Sequence, residues 1–95
     1  MNTETEFSFY NGKKVLITGH TGFKGAWLSQ WLLKLGSKVY GTGYNPNQNK
    51  NLFYKLRLHK RTNLKIFDIR NLGKLDAFIK KIKPSIIFHL AAQPL

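Results

Sequence analysis

Ninety-five residues, 42% of them hydrophobic and 14% aromatic, suffice for one small packed domain but not for a cofactor domain plus a substrate domain. The chain has no cysteine, which excludes a disulfide framework and a thiolate metal site, and no apolar run nears the roughly 20 residues that cross a bilayer. Sixteen basic residues against four acids give a net charge of +12, which suits anionic ligands. Thirteen of the sixteen are lysine, spread along the chain, so a solvated basic surface is expected ahead of a nucleic-acid site. Residues 1–9 carry Glu4 and Glu6 and lack a basic stretch followed by an apolar one, so no signal peptide, and a soluble cytoplasmic protein, is expected.

The first element is Lys14-Val15-Leu16-Ile17-Thr18, a β-branched apolar run bounded by Gly12 and Gly19, which predicts a buried parallel strand. From Gly22 the spacing becomes helical. Phe23, Trp27, Trp31 and Leu35 form one stripe, with Leu28 and Leu32 beside it, and Gly36 is the stop signal. Residues 38–43 read as a second strand, and 44–51, rich in Asn with Pro46, as a loop. A short helix is expected over 52–58 and a third strand over 64–67. Leu72, Leu75, Phe78, Ile79 and Ile82 are helix-spaced up to Lys83-Pro84, and 85–90 form a fourth strand. Strand and helix alternating at this pitch predict an α/β fold: the N-terminal half of a Rossmann-type doubly wound parallel sheet, about four strands in the order 3-2-1-4. Residues 1–95 are then a partial NAD(P)-binding domain.

The turn from the first strand into the first helix reads Gly19-His20-Thr21-Gly22-Phe23-Lys24-Gly25, with a glycine at every third position. Gly19 allows a sharp exit from the strand, Gly22 lets a phosphate reach the backbone, and Gly25 lets the helix pack closely on the sheet. The free N–H groups of the helix start and its dipole favour a pyrophosphate. Lys24 is followed by Gly25 and Ala26, not by Ser or Thr, so the loop is not a mononucleotide P-loop. The end of the second strand, Gly41-Thr42-Gly43-Tyr44-Asn45, has neither an acid for ribose hydroxyls nor an arginine for a 2′-phosphate. These residues therefore leave NAD and NADP both open. Asp68, just past the third strand, can accept a hydrogen bond from an adenine amino group, with the Ile69 backbone completing the contact; alternatively it caps the following helix. Ala91-Ala92-Gln93 lie at the end of the fourth strand, where small residues let a cofactor approach the backbone. His89 reads as a satisfied core histidine and His20 as a cofactor contact.

Together, Gly19–Gly25 followed by Trp27-Leu28, and Phe88-His89-Leu90-Ala91-Ala92-Gln93-Pro94-Leu95, resemble the extended short-chain dehydrogenase/reductase family. Within it they are similar to the CDP-glucose 4,6-dehydratases, as are Gly43-Tyr44, Leu52-Phe53 and Asp68-Ile69-Arg70. The resemblance implies NAD as cofactor and adds Tyr44 to the cofactor-binding residues. It also implies CDP-glucose as substrate of the full-length enzyme and a homo-oligomer, with no membrane or nucleic-acid partner. The implied reaction oxidises the sugar at C4, removes water across C5–C6 and returns the hydride to C6. The family's Tyr-x-x-x-Lys pair has no counterpart in place: Tyr10 and Lys14 have that spacing, but Lys14 opens the first strand. No catalytic residue is therefore expected in these 95 residues, which are expected to be inactive alone. A related nucleotide-sugar epimerase or reductase, and a small basic binding module without catalysis, stay open beside this reading.

Overall fold

The structure, a computed structural model, describes residues 8–19, 23–43 and 52–90, with Phe23 described by its backbone alone. Four parallel strands form one sheet in the order β3-β2-β1-β4: β1 (Lys14–Thr18), β2 (Lys38–Gly43), β3 (Asn63–Ile66) and β4 (Ile86–His89). Val15 and Leu16 of β1 stand opposite Val39 and Tyr40 of β2 on one side, and opposite Ile86 and Ile87 of β4 on the other. A strand paired on both sides and covered on both faces needs apolar residues at consecutive positions, and Val15, Leu16 and Ile17 are fully buried.

Alternation along β1 splits the core in two. Val15 and Ile17 pack with Leu32 and Val39, with Leu28, Leu33, Ile86 and Phe88 around them. Leu16 faces the other way and packs with Phe67, Phe78 and Ile82. The first face is covered by α1 (Phe23–Lys34), the second by α4 (Leu72–Ile82).

The inward face of α1 differs from the expected stripe. Ala26, Ser29 and Leu32 are buried, whereas Trp27 and Trp31 are 52% and 51% exposed. Close approach of a helix to a sheet favours small side chains at the contact, and Gly25, Ala26 and Ser29 supply them; the bulkier indoles are turned outward. The Ser29 hydroxyl donates to the Gly25 carbonyl at 2.7 Å, so its burial leaves no unpaired hydroxyl hydrogen. The helix stops where expected. Gly36 has φ +86°, and the amides of Gly36 and Ser37 donate to the carbonyls of Leu33 and Leu32 at 3.0 Å, a Schellman closure.

The single helix expected over 52–58 is instead two short ones, α2 (Leu52–Lys55) and α3 (Leu58–Arg61), separated by Arg57 in the left-handed region at φ 57°. Phe53 and Leu58 are both fully buried in one cluster with Ala26 of α1. On a continuous helix two residues five apart point about 140° from each other. The left-handed turn at Arg57 brings both into the same core. At the far end of α4, Lys83 (φ 54°) donates to the Ile79 carbonyl at 2.8 Å, just before Pro84.

Candidate functional site

The carboxyl ends of the parallel strands form one edge of the sheet, the usual ligand edge of an open α/β fold. At its centre the chain leaves β1 through Gly19, which has φ +79° and donates its amide to the Thr42 carbonyl of β2 at 3.0 Å. Thr18 is buried beside it. Its carbonyl accepts from the Leu90 amide at 2.9 Å, and its Oγ1 lies 2.6 Å from Nδ1 of His89. The exit of β1 is thus tied to β2 on one side and to β4 on the other. The start of α1 follows within a few residues, with Lys24 exposed in its first turn and Gly25 buried. The N-terminus of this 12-residue helix brings unpaired amides and a partial positive charge to the same edge.

β2 leaves the edge at Gly43. The preceding Thr42 is fully buried, and among the described residues its Oγ1 has no hydrogen-bond partner. An unpaired buried hydroxyl is costly unless a ligand or water completes it. Composition and spacing gave no hint of it, since Thr42 reads as an ordinary strand residue.

β3 ends in a tight turn. The Asn71 amide donates to the Asp68 carbonyl at 2.8 Å, folding Arg70 back onto the Asp68 side chain. The Arg70 amide and Nε donate to Oδ1 at 2.9 and 3.1 Å, and Nε and Nη2 donate to Oδ2 at 2.8 and 2.5 Å. Hydrogen bonds from the Arg70 side chain, then from its amide, hold the Asp68 carboxyl below its ordinary pKa. Asp68 does not cap α4. That role falls to Asn71, whose side chain accepts from the Lys74 amide at 3.2 Å, so the capping alternative for Asp68 is set aside. Ile69 is half-buried in the same turn.

His89 is satisfied, as expected, but it is not a core residue: it is exposed at the end of β4 and pairs with Thr18. An apolar neighbourhood in sequence suggested burial. Yet β4 is an edge strand among the described residues, and alternate positions face outward; Ile87 is 49% exposed. His20, Thr21, Gly22, Tyr44, Ala91, Ala92 and Gln93 lie outside the described residues, as does the Phe23 side chain. Of the expected cofactor-binding residues, the described part of the fold places Gly19, Lys24, Gly25, Asp68 and Ile69 around the carboxyl edge. Among the described residues no three His, Asp or Glu side chains converge as a metal site would require. No helix of the described residues is long and apolar enough to cross a membrane. The edge is suited to an elongated ligand with an anionic centre near Gly19 and hydrogen-bonding groups reaching towards β2 and β3.

The family model described as GDP-mannose 4,6 dehydratase matches residues 16–95. The chain belongs to this family. It is 47% identical to the CDP-glucose 4,6-dehydratase of Salmonella typhimurium over 88 residues, which are 93% of this chain and 24% of that protein. Among solved structures, epimerase Mth375 of Methanothermobacter thermautotrophicus superposes with a TM-score of 0.78 at 29% identity, covering 95% of this chain and 26% of that one. WbmH of Bordetella bronchiseptica, solved in complex with NAD+, gives 0.74 at 26% identity, over 88% of this chain and 27% of its own. This GDP-mannose 4,6 dehydratase family member therefore spans about a quarter of the length of the relatives it matches.

Proposed function

We propose that residues 1–95 are the NAD-binding part of a CDP-glucose 4,6-dehydratase, a lyase that turns CDP-glucose into CDP-4-keto-6-deoxyglucose. That product serves deoxysugar synthesis for surface polysaccharide such as the lipopolysaccharide O-antigen. The observation that carries the cofactor reading is the left-handed Gly19, at the carboxyl end of the buried central strand β1 and a few residues before the N-terminus of α1. In this reading Gly19, His20, Thr21, Gly22, Phe23, Lys24 and Gly25 wrap the pyrophosphate, with backbone amides as donors. Asp68 and the Ile69 backbone take the adenine, and Tyr44, Ala91, Ala92 and Gln93 line the rest. The Thr42 hydroxyl, unpaired among the described residues, fits a ligand that offers a hydrogen bond at the end of β2. NAD, when bound, supplies the acceptor for the hydride taken from sugar C4 and returned at C6. The chain's own residues bind and orient; the acid–base groups belong to the rest of a longer enzyme, a homo-oligomer. The CDP-glucose assignment rests on the 47% identity to the Salmonella enzyme.

An epimerase is the second reading, favoured by the superposition on Mth375. Both chemistries use the same dinucleotide site, and loss of water from CDP-glucose by the complete polypeptide separates them. The cofactor site is tested by calorimetric titration with NAD. Gly22→Val places a branched side chain where the pyrophosphate meets the backbone and is expected to weaken binding at least a hundredfold, with the far-ultraviolet spectrum unchanged. Unaltered affinity would sink the assignment.

A further inference from the structure

Arg70 is bound to the Asp68 carboxylate more completely than a surface ion pair requires. It brings three donors, its amide, Nε and Nη2, to the two carboxylate oxygens. The single Nε hydrogen is shared between both oxygens, so the four contacts fill a carboxylate's roughly four acceptor positions, and the longest, Nε to Oδ1 at 3.1 Å, is the one a ligand donor would replace. The fork-shaped guanidinium, unlike a lysine ammonium, also fixes the plane of the carboxylate it grips. The arginine is the outer partner, with a side chain 70% exposed against 24% for the aspartate. The amide bond to Oδ1 makes the arrangement an Asx-type turn, so backbone and side chain of one residue restrain the carboxylate together.

We propose that Arg70 is a positioning residue: it fixes the orientation of the Asp68 carboxylate so that the Oδ1 position held only by the longer branch of the shared Nε hydrogen receives the adenine amino group of a bound dinucleotide. This rests on the cofactor reading above, in which Asp68 meets the adenine. The physical gain is preorganisation. At the mouth of an open edge, a carboxylate free to turn would have to be ordered by the ligand itself, at a cost in affinity. With Arg70 in place that ordering is complete before the ligand arrives, and the hydrogen bonds from its side chain and amide hold the carboxyl below its ordinary pKa. Arg70 need not touch the ligand.

The test is a calorimetric comparison of two dinucleotides: NAD, and the NAD analogue whose adenine 6-amino group is replaced by hydrogen. The analogue keeps every other contact, so the ratio of the two affinities reads the amino-to-Asp68 bond alone. The wild-type protein is expected to prefer NAD about tenfold, the worth of one hydrogen bond to a charged acceptor. In Arg70→Ala the preference should fall below about threefold, with affinity for the analogue nearly unchanged. Arg70→Lys, which keeps charge without the fork, should lie between. A wild-type ratio near one would overturn the adenine contact and the role of Arg70 with it. A tenfold ratio that survives Arg70→Ala would leave the adenine contact standing and overturn the positioning role. Equal weakening of both dinucleotides, or tighter NAD binding in Arg70→Ala, would also overturn it, by showing a general charge effect or competition.

Discussion

Gly36 illustrates what a single backbone position can demand. Its φ of +86° closes α1, and a Cβ there would run into the side chain of Asn11, whereas Gly12, at φ +76°, faces open space. An L side chain in the left-handed region costs about 1–2 kcal/mol. Gly12→Ala should therefore lose about 1 kcal/mol from strain alone, and Gly36→Ala about 2 kcal/mol, strain plus displacement of Asn11. Denaturant unfolding of both variants and of Gly36→Ala with Asn11→Ala checks this; the double variant should recover the part due to Asn11 and keep the strain. Equal losses at Gly12 and Gly36 would show that Asn11 moves aside freely. At this scale the sequence was readable where glycine carried the signal, as at Gly19 and Gly36. It was mute about the left-handed backbones of Arg57 and Lys83, since neither residue type favours that region. It was ambiguous at Asp68, because aspartate serves equally as helix cap or ligand contact. Asn71 three positions on resolves that only once the turn is seen.

Among the elements, the strands were legible to within a residue at each end: β1 as a buried apolar run between glycines, the others as short β-branched or aromatic runs between turn residues. Their helices were legible as helices, but not by face. The apolar arc of α1 includes both indoles and leucines, and hydropathy alone cannot say which half meets the sheet. The small residues decide it. Leu32→Ala, which hollows the core shared with Val15 and Ile17, should cost about 2–4 kcal/mol. Trp31→Gln, on the half-exposed side, should cost less than half as much. The ranking is read from thermal unfolding midpoints, and a larger loss at Trp31 would mean that the outer face of α1 carries packing of its own. The break between α2 and α3 escaped the sequence reading for a related reason: nothing in Leu52–Leu58 says that Phe53 and Leu58 share one pocket.

For the molecule as a whole, parallel direction followed from the alternation of strands and helices, and the strand order from the Rossmann-type reading that the glycine-rich turn after β1 carried. The location of Gly19, Lys24, Gly25 and Asp68 at the carboxyl edge was legible in the same way, from glycines after a strand and an acid just past a strand end. What was not legible is side-chain pairing: the Thr18–His89 pair, 71 positions apart, the Thr42 hydroxyl, which has no partner among the described residues, and the grip of Arg70 on its near neighbour Asp68. The central place of β1 also sets an order of events during folding. Its bond to β2 closes across one helix, whereas Thr18 and His89 are 71 positions apart. Closing a loop roughly three times as long costs about 1 kcal/mol more, enough for roughly a fivefold difference in how often the ends meet. The β1–β2 ladder should therefore form first and β4 add last. Pulse-labelled hydrogen exchange during refolding reads this directly. The amides of Lys38 and Gly19, bonded to Lys13 and Thr42, should become protected before those of Ser85 and Leu90, bonded to Lys14 and Thr18. Simultaneous protection would mean that the sheet closes in one step, with the β1–β4 seam already present at the barrier.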